Sequence, residues 1–295
     1  MQFGRLITAM VTPFDHKGNI DYEKTKQLIN YLLMNGTEGI VITGTTGESP
    51  TLTQEEKVGF IRFVVQYVNK RIPVIAGTGS NNTQASITLT RQAETIGVDG
   101  VMVVTPYYNK PSQEGMYQHF KTIAASTTLP VMLYNIPGRS VVNLSVDTII
   151  RLSQITNITA IKEASGDLDR MTTIISETDD HFELYSGDDS LTLPVLSIGG
   201  KGVVSVSSHI IGNEMQQMIN YHINGEQQQA SRLHQQLLPI MKALFMAPNP
   251  TAVKEALCMM GIDVGSVRLP LIPLSTEERS ELTETLQLTK QQKVV

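Results

Sequence analysis

Short, almost uninterrupted apolar segments recur along the chain and alternate with stretches of helical periodicity. Apolar residues at successive positions, rather than at alternate ones, are typical of parallel strands covered on both faces. We predict eight such strands, at residues 5–11, 39–43, 72–76, 100–104, 130–134, 158–162, 182–186 and 202–206. Eight strand–helix units predict an α/β fold, the (β/α)8 TIM barrel. An open doubly wound sheet is the alternative, but such sheets usually have fewer strands, and no G-x-G-x-x-G sequence follows the first one.

Capping signals mark the helices between the predicted strands. Asp21 precedes the first helical stretch, and Thr53 with Glu56 forms a capping box before the second. Asn82 or Thr83 begins the third.

The strand signals stop after about residue 225. Three further helices are predicted, at residues 227–246, 250–261 and 275–288. We therefore predict a barrel over residues 1–224 that carries the site, and a C-terminal helical extension over residues 225–295 that packs on it.

The net charge and the cysteine content indicate which binding partners and which cellular compartment to expect for this protein. The net charge is −5 over 295 residues, which disfavours nucleic acid or an anionic membrane as the main partner. No apolar run has the length of a membrane span. The single cysteine, Cys258, cannot form an intrachain disulfide, and the N-terminus lacks the features of a secretory signal. We therefore predict a cytoplasmic protein.

Glycine, proline and polar residues collect just after the predicted strands. The segments are GTTGES (44–49), GTGSNN (77–82), TPYYNKP (105–111), NIPGRS (135–140) and SGDD (186–189). Active sites of (β/α)8 barrels form at the C-terminal ends of the strands. Because these segments are independent of the apolar pattern that predicts the strands, they support both the barrel and a site at that end.

Lys162 is the strongest indication of chemistry, because it ends the apolar strand ITAIK (158–162). An ammonium that points into an apolar barrel is disfavoured as a cation. More neutral amine is then available to attack a carbonyl compound and form a Schiff base. The alternatives are a salt bridge to Glu163 or an ammonium that reaches the rim. Neighbours in a strand point to opposite faces, so Lys162 and Glu163 are not expected to pair.

Four other residues at this end have a possible role in binding or converting a small acid. Thr45 and Thr46 offer hydroxyl and backbone N–H groups in a tight turn, which is either a carboxylate nest or an ordinary connection. Arg139 follows a Pro-Gly turn and is either a carboxylate clamp or a solvated loop charge. Tyr134 ends the fifth strand and is either a proton relay or a core aromatic.

Two pairs of residues have structural interpretations. Tyr107 and Tyr108 lie in a loop flanked by prolines, and paired exposed tyrosines often mark an interface. Asp188 and Asp189 could bind a metal, but helix N-capping is the expected role. The six histidines do not have the sequence spacing of metal ligands, which disfavours a metal-dependent aldolase. They lie at positions 16, 119, 181, 209, 222 and 234.

Seven motifs along the chain resemble those of the 4-hydroxy-tetrahydrodipicolinate synthase (dihydrodipicolinate synthase) family. They are, in order, GTTGESPTL, IAGTGSN, VTPYYNKPSQEG, LYNIPGR, IKEASGD, YSGDD and GGKGVVSV. Each motif is modest, but the seven together are specific, and the resemblance extends over essentially the whole chain. The resemblance implies a lyase that condenses pyruvate with L-aspartate 4-semialdehyde through a lysine Schiff base, in diaminopimelate and lysine biosynthesis. It implies no metal and no organic cofactor.

The resemblance also implies catalytic roles. Lys162 matches the lysine that forms the Schiff base, and Tyr134 matches the tyrosine that relays protons. Thr45 matches the threonine that links Tyr134 to Tyr108. In the family, the tyrosine matched by Tyr108 comes from a neighbouring subunit, so a homo-oligomer is implied, with a dimer of dimers favoured over a dimer.

Substrate-binding roles follow from the same resemblance. Thr45 and Thr46 match residues of the pocket for the pyruvate carboxylate. Arg139 matches the arginine that binds the carboxylate of the semialdehyde. Gly187 and Val204 match backbone positions near the lysine.

Two rival interpretations are another pyruvate aldolase and a non-catalytic barrel that binds keto acids. N-acetylneuraminate lyase and the keto-deoxy sugar acid aldolases share the lysine, the tyrosine and a similar turn. Arg139 disfavours them, since a carboxylate clamp suits a small acid aldehyde better than a neutral sugar. A binding protein needs no nucleophile, so the joint presence of Lys162, Tyr134, Thr45 and Tyr108 disfavours the second rival.

One departure concerns feedback inhibition. Lysine-inhibited members of the family have an allosteric pocket near the GTTGES turn, and its matching positions are Ser49, Asn81 and Tyr107. However, Gln54, Lys57 and Ala85 stand where inhibited members typically have two histidines and a glutamate. A cation at Lys57 and the loss of an acid at Ala85 disfavour an ammonium ligand, so weak or absent inhibition by lysine is predicted.

Overall fold

The structure is a computed structural model that describes residues 3–292, with side chains described as far as residue 288. Eight parallel strands form one closed barrel in chain order. They are β1 Leu6–Ala9, β2 Gly39–Ile42, β3 Val74–Gly77, β4 Gly100–Val104, β5 Val131–Asn135, β6 Ile158–Glu163, β7 Glu183–Ser186 and β8 Gly202–Ser205. Strand β8 pairs with β1, with Val204 opposite Ile7. This closure confirms the predicted barrel and excludes the open sheet.

Helices surround the barrel and follow it at the C-terminal end. They are α1 Tyr22–Met34, α2 Gln54–Val68, α3 Thr83–Ile96, α4 Gln113–Ala124, α5 Pro137–Ser140, α6 Val146–Ser153, α7 Leu168–Glu177, α8 Thr192–Ser197, α9 Ser208–Ile223, α10 Gln227–Ala243, α11 Thr251–Met259 and α12 Thr276–Gln292. Single 3-10 turns occur at Ser49–Thr51 and Asp189–Leu191.

The predicted caps are present. The Asp21 carboxylate accepts the N–H groups of two first-turn residues of α1. Thr53 and Glu56 form both hydrogen bonds of the capping box. The side chain of Asn82 accepts from the N–H of Ala85, so Asn82 rather than Thr83 caps α3.

The interior of the barrel is a small apolar cluster of its own. It comprises Phe3, Ile7, Ala9, Val41, Ile75, Met102, Met132, Tyr134, Ala160, Tyr185 and Val204. Successive residues of a strand alternate between this interior and the helix-covered outer face. In β6, Ala160 therefore packs inside the barrel, and Ile161 packs in the outer core.

The three helices predicted after residue 225 are present as α10, α11 and α12. Helix α10 packs against α9, and α12 packs against both α10 and α11. The end of the predicted extension, residues 293–295, lies outside the described residues. That residues 225–295 form a separate domain stays a prediction.

A histidine in the core makes the stability of the fold dependent on pH. His209 is fully buried, and its Nε2 accepts the N–H of Val11 at 3.2 Å. Its Nδ1 therefore carries the proton and donates to the carbonyl of Val206 at 2.8 Å. Burial lowers the pKa of His209 to about 4. The folded protein thus keeps a neutral imidazole at a pH where the unfolded chain is protonated.

We expect stability to fall as the pH is lowered from about 6.5 towards 4. Over this window the unfolded state binds a proton that folded His209 does not, which costs on the order of 3 kcal/mol at the acidic end. The measurement is the urea unfolding midpoint as a function of pH. A His209→Gln variant, which can still donate and accept hydrogen bonds, should reduce the slope, and the remainder is expected from buried His119, whose pKa burial also lowers to about 4. The exposed His16→Gln control should leave it unchanged, and a wild-type midpoint that stays level would contradict the account.

Candidate active site

Lys162 and Tyr134 lie side by side inside the barrel, at its C-terminal end. They are register partners on β6 and β5. The Lys162 ammonium lies 4.4 Å from the centroid of the Tyr134 ring. Both residues are almost completely buried, with exposed fractions of 5% and 3%. The structure therefore brings together the two residues for which the sequence predicts a nucleophile and a proton relay.

Glu163 points to the opposite side of the strand, as its alternation with Lys162 requires. It is fully buried, and its carboxylate accepts from Asn135 Nδ2 at 2.9 Å and from the N–H of Ser165 at 3.0 Å. It also forms an ion pair with Arg170 Nε at 3.3 Å. The expectation that Lys162 and Glu163 do not pair is confirmed, and no carboxylate of the described side chains forms a salt bridge with the Lys162 ammonium.

A cavity of about 260 Å³ opens at this end of the barrel. Thr45, Tyr107, Tyr134 and Arg139 line it. Lys162 does not line the cavity directly, but it packs on the ring of Tyr134, which does. The predicted nucleophile therefore lies one side chain away from a space for a small ligand.

The turn of residues 44–49 is held in one conformation. Two backbone hydrogen bonds close it, from the N–H of Glu48 to the carbonyl of Thr45 and from the N–H of Ser49 to that of Gly44. Thr45 faces the cavity, whereas Thr46 is buried and its hydroxyl accepts from Asn249 Nδ2 at 2.9 Å. Sequence reasoning missed Asn249, because nothing near it in the chain marks it.

Arg139 and Tyr108 lie towards solvent. Arg139 sits on the short helix α5, directly after β5, and faces the cavity. Among the side chains that the structure describes, none forms an ion pair with its guanidinium, which leaves it available to a ligand carboxylate. Tyr108 has a left-handed backbone, with φ of 73°, and its side chain is 87% exposed. Tyr108 does not line the cavity of its own chain.

Gly187 directly follows β7, the strand that pairs with β6, and Val204 lies one strand further on, in β8. A Cβ atom on Gly187 would lie 2.5 Å from the Cβ of Ala164, so only glycine lets the end of β7 approach the end of β6 this closely. Val204 is fully buried in the barrel interior. Burial raises the pKa of the neighbouring Asp188, and the positive charge of Lys162 opposes this rise.

The predicted side-chain N-capping by Asp188 and Asp189 is wrong. Asp188 occupies the N-cap position of a 3-10 turn, but its side chain makes no capping hydrogen bond. The Asp189 carboxylate instead accepts from the N–H groups of Val206 and Ser207 and from the Ser207 hydroxyl, at 3.2, 2.9 and 2.8 Å. These donors lie between β8 and α9, and the pairing of β7 with β8 brings them to Asp189.

A family model described as the dihydrodipicolinate synthetase family matches residues 2–289. The chain belongs to this family. A relative from Bacillus subtilis (strain 168), named 4-hydroxy-tetrahydrodipicolinate synthase, is 63% identical over 287 residues, which cover 97% of this chain and 99% of the relative. The family resemblance of the seven motifs is therefore confirmed.

Solved structures agree in fold over nearly the whole chain. The crystal structure of the dihydrodipicolinate synthase DapA-2 from Bacillus anthracis is 64% identical, with a TM-score of 0.96, and the match covers 97% of this chain and 98% of that one. A dihydrodipicolinate synthase from Cyanidioschyzon merolae, solved with lysine bound, is 44% identical, with a TM-score of 0.96 and 98% coverage of both chains.

Proposed function

We propose that this chain condenses pyruvate with L-aspartate 4-semialdehyde through a Schiff base on Lys162, giving 4-hydroxy-tetrahydrodipicolinate. The observation that carries the proposal is the buried Lys162 packed on Tyr134 beside a cavity of small-molecule size. The activity is that of the relatives, which carry this enzyme's name at up to 65% identity across almost the whole chain. The chain is accordingly a lyase of diaminopimelate and lysine biosynthesis.

The reaction begins with the neutral amine of Lys162. It attacks the ketone of pyruvate, and loss of water gives an imine. Tyr134 relays a proton away from the methyl carbon, taking it up as its own hydroxyl proton passes on to Thr45, and the imine becomes an enamine. The enamine carbon attacks the aldehyde of the second substrate. The amino group of that substrate then closes onto the imine carbon and releases Lys162, and no step requires a metal or an organic cofactor.

Substrate binding is assigned to groups around the cavity. Thr45 and Thr46 hold the pyruvate carboxylate, and Arg139 holds the carboxylate of the semialdehyde. The free guanidinium of Arg139 supports its part, because a planar guanidinium binds a carboxylate through two parallel hydrogen bonds. Gly187 and Val204 shape the space around Lys162.

The exposure of Tyr108 supports a site completed by a second copy of the chain. A tyrosine that is 87% exposed on a loop beside the cavity presents its hydroxyl to a partner rather than to its own Thr45. We propose a homo-oligomer on this basis, and the family resemblance favours a tetramer of paired dimers over a dimer.

We also propose a cytoplasmic location. Cys258 is a free thiol, which suits a reducing compartment. None of the helices that the structure describes is long and apolar enough to cross a membrane.

The choice of second substrate separates this activity from that of the sugar-acid aldolases. We expect the protein to consume pyruvate rapidly with aspartate 4-semialdehyde, and to cleave N-acetylneuraminate at no more than a background rate, because Arg139 places a cation where a sugar needs neutral partners. The measurement is pyruvate concentration over time with each compound. Faster cleavage of the sugar acid than condensation would reverse the assignment.

We expect free lysine to inhibit the enzyme only weakly, because Lys57 lies in the wall of the cavity. Lys57 lines the cavity together with Ser49 and Tyr107, and burial lowers its pKa. An ammonium ligand would have to approach this cation without an acid to compensate. Ala85 is exposed in the first turn of α3, where an acid is tolerated.

The measurement is activity at millimolar lysine, in the wild type and in a Lys57→His, Ala85→Glu double variant. The wild type should keep nearly all its activity, and the double variant should become sensitive. Strong inhibition of the wild type would contradict the prediction.

A further inference from the structure

The turn that carries Thr45 and Thr46 rests on residues of the C-terminal region. Asn249 donates to the Thr46 hydroxyl at 2.9 Å across 203 residues of sequence. The Lys254 ammonium lies 2.6 Å from Oε1 of Glu48, two residues after Thr46. All four side chains are buried, with exposed fractions between 2% and 7%. The contacts are therefore shielded from water, where hydrogen bonds and ion pairs are strongest.

Glu48 is held in a conformation that it would not adopt freely. Its φ of 55° lies in the left-handed region, which is strained for residues other than glycine. One carboxylate oxygen meets Lys254, and the other accepts the N–H of Arg268 at 2.8 Å. Both partners belong to the C-terminal region, so that region maintains the bend of the turn.

Lys254 is fixed from several sides. Besides Glu48, its ammonium donates to the carbonyl of Ser266 at 2.9 Å and lies 4.1 Å from the centroid of the Phe14 ring. Burial lowers the pKa of Lys254 to about 8, and Glu48 opposes this change. The amine is thus mostly charged at neutral pH. Its ion pair with Glu48 links α11 to the turn of residues 44–49.

The hydrogen bond from Asn249 also orients the Thr46 hydroxyl. A hydroxyl has one proton to donate and lone pairs that accept. Since the Thr46 oxygen accepts from Asn249, its proton stays available to donate, and Thr46 directly follows Thr45, which lines the cavity. An amide that is buried at this position and donates to Thr46 therefore prepares the hydroxyl for an anion before the anion binds.

We propose that Asn249 and Lys254 are positioning residues for the pyruvate carboxylate: they hold the turn of residues 44–49 and aim the Thr46 hydroxyl. The proposal rests on the assignment of Thr45 and Thr46 to that carboxylate. Under this proposal the C-terminal region contributes to substrate binding as well as covering the barrel.

The test compares Asn249→Ala and Lys254→Met with the wild type in steady-state kinetics for both substrates. Each variant should raise the KM for pyruvate by about tenfold, the loss expected for one buried hydrogen bond to a bound anion. The kcat at saturating pyruvate and the KM for the semialdehyde should change by less than about twofold. A matched control is Arg279→Gln, which removes an exposed ion pair to Glu255, the residue after Lys254. It should leave all three constants unchanged.

A double-mutant cycle separates positioning from general destabilisation. If Asn249 acts through the Thr46 hydroxyl, Asn249→Ala should add no further loss of pyruvate affinity to Thr46→Val. Additive losses would overturn the proposal, as would equal changes in every constant. Asn249→Ala removes only a small amide, so the cycle remains decisive even where Lys254→Met fails to fold.

A parallel measurement distinguishes failure of the inference from failure of the function. Borohydride trapping with pyruvate, at a concentration near the wild-type KM, should label the variants less than the wild type. Equal labelling would overturn the inference while the Schiff-base function stands. Absence of labelling in the wild type would remove the function on which the inference rests.

Discussion

Replacing Lys162 with alanine is expected to abolish the consumption of pyruvate in the presence of aspartate 4-semialdehyde. The loss should be roughly 10³-fold or more, the scale seen when a covalent nucleophile is removed. Lys162 is buried against Tyr134, whereas Lys57 lines the cavity itself. Among the side chains that the structure describes, no other amine packs on Tyr134, so none is placed to take over the reaction. The measurement is the initial rate with both substrates at saturation.

Lys162→Arg is the matched variant for this experiment. Arginine keeps the positive charge but remains protonated, so it cannot attack a carbonyl group. It should be as inactive as the alanine variant, with both variants folded as judged by circular dichroism. Substantial activity in the arginine variant would mean that the charge at this position matters and the nucleophile does not.

Removing the partner of Glu163 is expected to have the largest effect on stability. Glu163 is fully buried, and Arg170 is its cationic partner, with a side chain that is 10% exposed. Arg170 also donates to the carbonyl of Leu144 and so ties α7 to the segment before α6. Arg170→Met leaves a buried carboxylate with neutral donors only. We expect a loss of roughly 3–5 kcal/mol in the free energy of unfolding.

The control for this prediction is Arg151→Met, which breaks the exposed ion pair with Glu114. Exposed pairs contribute about 0–1 kcal/mol, so this variant should stay close to the wild type. Glu163→Gln in the Arg170→Met background should recover much of the loss, because it removes the unpaired charge. Denaturant midpoints at one protein concentration measure all four proteins. An Arg170→Met variant as stable as Arg151→Met would contradict this account of the buried pair.

The barrel and the position of Lys162 could be predicted because both follow from local patterns. Strands buried on both faces appear in the sequence as short apolar runs, and closure follows from their number. The alternation of side chains within β6 is also local. It separates Lys162 from Glu163 correctly, although the two are neighbours in sequence.

The contacts that hold the site residues in place could not be predicted, because they join residues that are far apart in sequence and meet only in the folded chain. Lys254 lies within an ordinary amphipathic stretch, and nothing in it indicates a contact with Glu48, 206 positions earlier. Asp189 shows the same limit. Its sequence context predicts a local cap, but its donors lie after β8, the strand that pairs with β7. Asn135 likewise gains its role from Glu163 on the adjacent strand.

The central claim is that pyruvate forms an imine with Lys162, and peptide mapping after borohydride reduction tests it most directly. The protein is incubated with pyruvate alone, reduced, digested and analysed by mass spectrometry. The account predicts one reduced pyruvate adduct per chain, on the peptide that contains Lys162, and none in Lys162→Ala. An adduct on Lys57 or another lysine, or no adduct on a folded protein, would contradict it.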